Sequence, residues 1–224
     1  MTIYKGTFTN KSGTRAIEMF NDFEYFKVTI NDFDFSGPDL DSLALVNPEK
    51  NELLASSYFD FEKIKIYQSE KHDLEIRNYI LKLQIPQILI EVSTKKEIDV
   101  LMDFQLELKE DFEEAKVTFE IDGQHYEGKN GFMEIILDQI QKQFTGKYRF
   151  KNCYGCLYGD YSVFGQGFMS SILCFKNQKQ AYLQVDTKDE YMKLDIHDSK
   201  QQEIFCCDAY EIRDRNVGYR GTVL

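Results

Sequence analysis

Apolar and polar positions alternate along most of the chain, which predicts strands. Tyr4, Gly6 and Phe8 alternate with polar neighbours up to Asn10-Lys-Ser-Gly13, and Ile17 and Met19 mark one face of the return. A hairpin is expected over residues 3–20. Phe26, Val28 and Ile30 repeat the period, and Phe33 and Phe35 resume it beyond Asp32, as in a meander. Residues 36–57 break the pattern: Gly37-Pro38 ends a strand, and Asn47-Pro48-Glu49 has the chemistry of a side-chain cap followed by Pro in a first helical turn. Residues 59–67 return to strand, with a parity slip between Phe61 and Ile64 that predicts a bulge. Residues 74–85 and 88–92 form the most apolar tract. Pro86 interrupts it, and because proline cannot donate to a ladder, an edge or a bend is expected there.

Val100, Met102, Phe104, Leu106 and Leu108 make the clearest half-buried strand. Glu110, Asp111, Glu113 and Glu114 then fill a connection to Val117, Phe119 and Ile121. One helix stands out over residues 132–144, where Phe132, Ile136, Ile140 and Phe144 form a single stripe widened by Met133 and Leu137. Asn130 or Gly131 is expected to cap it and Gly146 to end it. Beyond it, strands are expected at 148–152, 168–175, 181–185, 191–196 and 203–212. The pattern predicts an α+β protein, mainly antiparallel β. A sandwich-like or meander sheet would carry one main helix, followed by a Cys-bearing C-terminal β module. An acidic region (1–147) would end in the helix, and a Cys/Tyr/Gly-rich module (148–224) would pack with it as one domain.

Charge changes this picture only in its distribution. The net charge is −11. Residues 1–150 carry 18 Lys or Arg against 28 Asp or Glu, a balance of −10, whereas residues 151–224 carry 9 against 10. Such a field repels nucleic acid and anionic membranes and speeds encounter with a basic protein; the plainer reading is solubility. The start lacks the apolar run of a signal peptide, and no apolar run approaches a membrane span, so a cytoplasmic location is expected. The acidic run at Glu110, Asp111, Glu113 and Glu114 is the obvious place for a basic partner to bind.

Three of the five cysteines fall within Cys153-Tyr-Gly-Cys156 and the strand that holds Cys174. The two-residue spacing lets Cys153 and Cys156 turn toward one tetrahedral ion. Cys174 would be a third ligand and Cys207 or Cys206 the fourth, giving a structural zinc that staples the C-terminal third. The competing reading is a set of buried small residues, since free Cys is among the most buried types. His72, His125 and His197 lie in separate polar contexts and read as surface imidazoles. There is no Gly-x-Ser-x-Gly, phosphate-cradling Gly loop or His-Glu-x-x-His. Asp160 and Tyr161, with arginines 213, 215 and 220, would line a polar pocket or serve as turn formers and ion-pair partners.

At Cys153-x-x-Cys156-x-Tyr-Gly-Asp-Tyr-Ser162, with Cys174-Phe175, Cys207 and Gly218-Tyr-Arg-Gly221, the chain resembles an uncharacterised family of bacterial cytosolic proteins. Gly159 stands here where that pattern has Ser. The family is associated with the neighbourhoods of secreted polymorphic toxins, so the resemblance implies an immunity protein; it transfers no active residues. The expected function is a non-enzymatic, immunity-type binding protein that inhibits a basic partner such as a toxin domain. Two alternatives are an enzyme or small-ligand protein whose site in the Gly/Tyr loop is lined by Asp160, Tyr161 and Arg220, and a component of a larger assembly docking through the strand near Pro86.

Overall fold

The computed structural model describes residues 1–66, 68–163, 167–194 and 199–218. Predictions that fall on Tyr67, Ile196, His197 and Arg220 lie outside these residues. The opening hairpin pairs β1 (Thr2–Asn10) with β2 (Gly13–Asn21) in register Asn10↔Gly13. A second hairpin joins β3 (Phe26–Ile30) to β4 (Phe33–Gly37), and its turn residues Asn31 and Asp32 both take left-handed φ, 53° and 65°. Two such residues match the twist of a two-residue hairpin. After β5 (Ala44–Leu45) comes α1 (Pro48–Ala55), then β6 (Asp60–Lys65), β7 (His72–Arg77), β8 (Tyr79–Glu91), β9 (Glu97–Lys109), β10 (Phe112–Ile121) and β11 (Gln124–Asn130). Helix α2 (Met133–Gln143) and β12 (Tyr148–Phe150) complete the larger unit.

The sheet runs β11-β10-β9-β8-β1-β2-β3-β4-β5-β7-β6, with β12 also on β8, and its pairings are antiparallel. Between β7 and β8 the chain passes through Asn78 alone, at φ 56°, although β1 to β5 separate the two strands in the sheet. The sheet therefore curls until its separated parts meet. Aromatic rings fill the curl: Phe8 on β1 stacks on Tyr79 at 5.1 Å, and Phe59 lies 6.3 Å from Phe8 and 4.9 Å from Phe35. Helix α2 closes the other end. It buries Met133, Ile136, Leu137 and Ile140, and with roughly 2 kcal/mol per buried aliphatic side chain this docking outweighs the weak stability of an isolated eleven-residue helix.

Several expectations fail for local reasons. Pro86 is neither at an edge nor at a bend: β8 is a central strand, paired along its length with β9. On its other side, β1 pairs only as far as Gln84 and β12 only from Leu89. Pro86 falls in the gap between them, where no ladder bond is lost, so no docking edge exists there. The predicted bulge near Phe61 is absent, because β6 and β7 keep unbroken register from Asp60↔Arg77 to Lys65↔His72. The parity slip reflects the position of β6 at the end of the sheet. Asn47 makes no side-chain cap and is itself left-handed. Phe132 is 60% exposed and occupies the N-cap of α2 instead of the stripe, while Asn130 Oδ1 accepts from its N–H. Gly146 is left-handed as expected.

The strands predicted at 181–185 and 191–196 are replaced by short helices, α3 (Lys179–Tyr182) and α4 (Lys188–Tyr191). Thr187 and Glu190 form a capping box at α4, which local apolar content had concealed. Residues 203–212 form no strand apart from a bridge of Ile212 to Cys156. A smaller sheet of β13 (Gly159–Asp160), β14 (Ser171–Cys174) and β15 (Ser199–Gln202) remains, with a separate cluster of Leu157, Tyr158, Phe175, Tyr182, Val185, Tyr191 and Val217. This C-terminal segment docks into the gap beside Pro86. Gln87 Nε2 donates to Ile204 O, Asn152 Nδ2 donates to Gln87 Oε1, and Gly155 N–H donates to Asn152 Oδ1.

Candidate functional site

The acidic run divides. Glu110 and Asp111 form the tight turn between β9 and β10, whereas Glu113 and Glu114 already belong to β10, opposite Leu108 and Glu107. Glu114 pairs with Lys129 at 2.6 Å. Glu113 reaches a second acidic group that sequence gave no reason to join to it, Asp39 and Asp41 in the loop after β4. That loop is held from both sides: Leu40 N–H donates to Phe168 O, Tyr79 Oη donates to Leu40 O, and Arg77 Nη1 donates to Asp41 O.

Asp39 accepts a short hydrogen bond from Ser42 Oγ and a longer one, 3.4 Å, from Ser170 Oγ. Asp41 Oδ1 accepts from Phe168 N–H at 2.6 Å. Gly167 lies directly against both carboxylates, where a Cβ would overlap them; only glycine lets the backbone pass this closely. Burial, then the fields of Asp39 and Glu113, push the Asp41 carboxyl up to about 7. Burial also raises Asp39, against the hydrogen bonds from Ser42 and Ser170. It raises Glu113 as well, with Arg77 opposing and Asp39 reinforcing the shift. Arg77 is already engaged with Glu62 at 2.7 Å and Glu75 at 2.8 Å. The cluster thus holds carboxylates that one guanidinium does not neutralise.

On the opposite face of the sheet, where Thr9, Ile80, Lys109 and Phe112 point away from Glu113, lies a cleft of about 510 Å³ that Asn78, Glu110 and Asp111 also line. Phe112 is 45% exposed. The Tyr79 phenol, buried on the inner face against Phe8, lies in the field of Asp41, Asp39 and Glu113. Glu110 and Asp111 next to an apolar cleft with an exposed ring suit a cationic, partly apolar protein segment.

The Gly/Tyr loop is organised differently. Asp160 is fully buried: its Oδ1 accepts from Tyr161 N–H at 2.8 Å and its Oδ2 from Tyr182 Oη at 2.7 Å. Tyr161 Oη donates to Glu203 at 2.5 Å. Arg213, 1% exposed, donates to the carbonyls of Cys156, Leu157, Gly159 and Val217 and to Tyr182 Oη. Asp160, Tyr161 and Arg213 therefore knit the C-terminal segment together, away from solvent. The sequence signal available for this was the spacing of Arg213 from the Gly/Tyr loop, and it carried no information on burial.

The cysteines come into one neighbourhood. Cys153, Cys156 and Cys174 are buried, and Cys206 and Cys207 are half-buried. Burial raises the Cys153 thiol far above its usual range, and Cys156, Cys174, Cys207 and Cys206 add to this in that order. Among the described residues, no three His, Cys, Asp or Glu side chains are placed so that they could hold a metal ion as they stand. His72 is exposed, and His125 lies on the outer sheet face 3.6 Å from Glu127. That face carries a cavity of about 570 Å³ lined by Lys82, Gln84, Asp103, Gln105, Lys116 and His125. Among the described residues, no helix is long and apolar enough to cross a membrane.

Fold and site together define an α+β protein in which a curled antiparallel sheet carries a crowded group of carboxylates on one face and an apolar cleft on the other. The chain belongs to DUF6304, a family of unknown function, whose profile matches residues 2–159. The match takes in the whole sheet, the acidic cluster, Cys153 and Cys156, and ends before Cys174 and Cys207. No curated protein and no solved structure matches the chain.

Proposed function

We propose that this protein is a non-enzymatic binding protein of immunity type that inhibits a basic protein partner, such as a toxin domain, through its acidic residues and the cleft at Phe112. The observation that carries this reading is the crowding of Asp39, Asp41 and Glu113, with Asp41 held at about 7. A carboxyl kept partly protonated at neutral pH by burial, and then by its acidic neighbours, is stabilised by a cation brought against it, so an incoming guanidinium or ammonium recovers energy that the free protein gives up. Phe112 and the cleft supply apolar contact next to Glu110 and Asp111, as a protein interface requires. Glu110 and Asp111 at the rim steer encounter.

The test is calorimetric titration of the purified chain with basic toxin domains, at low and high salt and in buffers of different ionisation enthalpy. Binding should weaken with salt, release protons near pH 7, and weaken on the order of ten-fold or more in Asp41→Asn or Glu113→Gln. Binding that ignores both salt and these substitutions, or turnover of a substrate by the free chain, would overturn the reading.

A further inference from the structure

The two ends of the large sheet are finished in different ways. Strand β11 is one edge, and α2 covers it: Glu127 N–H donates to Gln143 Oε1, Gln143 Nε2 donates to Glu127 O, and Lys129 N–H donates to Gln139 Oε1. Glutamines of the helix thus satisfy backbone groups that a further strand would otherwise take. Strand β6 is the other edge. On β7, Ile76 N–H donates to Leu43 O, so the backbone of Arg77, Glu75 and Asp73 faces the opposite way, toward Asp60, Glu62 and Ile64 of β6. Alternation then turns the N–H and C=O of Phe61, Lys63 and Lys65 outward, and no hydrogen bond from the described residues reaches them.

Bulges, prolines and very short strands are the usual ways of blunting an edge. Strand β6 is six residues long, has no proline, and keeps unbroken register with β7. Charge is the device that remains, and it acts against one partner in particular. In every two-fold antiparallel pairing of β6 with a second copy, centred on any of residues 61–65, like charges stand opposite: Asp60 against Glu62, Glu62 against its own copy, Lys63 against its own copy or Lys65, or Lys65 against its own copy. The net charge of −11 adds to this. A strand from another protein, with the signs reversed, meets no such obstacle. The salt bridge from Lys63 Nζ to Glu52 Oε1, 3.0 Å, holds α1 beside β6, and α1 leaves Leu53 91% and Leu54 63% exposed. Exposed leucines next to free backbone groups supply the apolar contact that edge pairing alone lacks.

We infer that β6 is a docking strand, completed by an extended segment of another protein that carries acidic side chains opposite Lys63 and Lys65 and basic ones opposite Asp60 and Glu62. The outward groups of Phe61, Lys63 and Lys65 repeat every second residue, and an extended backbone offers donors and acceptors at that spacing. Main-chain hydrogen bonds hold the segment, and the alternating signs select it. This interface uses neither the Asp39, Asp41 and Glu113 carboxylates nor the cleft at Phe112.

The test uses the full chain, isotopically labelled for NMR, and the peptide acetyl-Glu-Val-Glu-Lys-Val-Lys-amide, whose residues in antiparallel pairing fall in turn against Lys65 back to Asp60. At millimolar peptide the amides of Phe61, Lys63 and Lys65 should exchange with solvent on the order of ten-fold more slowly, while those of Asp60, Glu62 and Ile64, already directed to β7, change little. The peptide with every charge reversed should bind on the order of ten-fold more weakly. In Lys63→Pro the ring replaces an N–H that points outward, so the β7 ladder stays whole and the slowing should vanish. Should proline disturb β6, a peptide methylated on the amide nitrogen of its second Glu, opposite Lys63, gives the same test on the unaltered chain and should not bind. Unchanged exchange at Phe61, Lys63 and Lys65, or binding that ignores both the charge reversal and the methyl group, would overturn the docking strand. A dimer in sedimentation that Lys63→Pro dissociates would overturn its assignment to another protein.

Discussion

Replacing Asp41 with Asn should make the protein more stable and a poorer binder. Asp41 titrates at about 7 in the folded protein against an ordinary 3.8. At about 1.4 kcal/mol per pH unit, that gap amounts to roughly 4 kcal/mol of stability surrendered once the carboxylate is fully ionised. Part of this belongs to Asp39, which shares the field, and the site is half-exposed, so about 2 kcal/mol is the expected gain from the substitution. The sign follows from the direction of the shift. The folded protein holds the Asp41 proton more tightly than the unfolded chain, so stability is full below about pH 4 and is lost as pH rises to about 7. Asn keeps an acceptor for Phe168 N–H, offers Asp39 a donor, and does not ionise. Thermal denaturation at about pH 4 and pH 8 should therefore show a near-equal midpoint at the lower pH. At the higher pH the variant should melt roughly 4–8 °C above the parent. An unchanged pH slope, or a variant less stable than the parent at pH 8, would show that burial beside Asp39 and Glu113 does not hold the Asp41 proton. The same variant should bind the basic partner less tightly, a trade of function for stability common at binding sites.

Arg213→Leu should destabilise the protein by about 3–5 kcal/mol in urea denaturation, because it strips four carbonyls and Tyr182 of their donor and leaves Asp160 buried without its nearby cation. Limited proteolysis should then cut first within the C-terminal segment. Thr187→Ala should cost about 1 kcal/mol by opening the capping box of α4, and hydrogen exchange should quicken at the Glu190 amide while β9 keeps its protection. Glu110→Lys with Asp111→Lys reverses charge at an exposed turn. The melting free energy should stay within about 0.5 kcal/mol, while association with the basic partner slows and loses much of its salt dependence.

Much of the fold was legible because half-burial leaves a local signature. Strands β1 to β4 and β9 each bury one face, so their alternation is written residue by residue, and the α2 stripe is equally local. Charge was legible in the same sense, since a sum over residues needs no structure, but that only Glu110 and Asp111 of the run line a cleft was not.

Other features depend on which distant segments meet. Pro86 reads as a strand breaker until two different strands are seen to leave a gap on the same side of β8. Asp39 and Asp41 look like ordinary loop carboxylates until the curl of the sheet brings Glu113 and the backbone at Gly167 against them. In the C-terminal segment the apolar residues face a small local cluster, so their spacing carries no clean period, and short helices were mistaken for strands. Arg213 lies 53 residues from Asp160 in the chain, and only folding places it beneath the Asp160–Tyr182 pair. Local burial is recorded in sequence because it repeats every second or third residue; long-range contact is not, because it depends on how far the sheet curls before its strands meet.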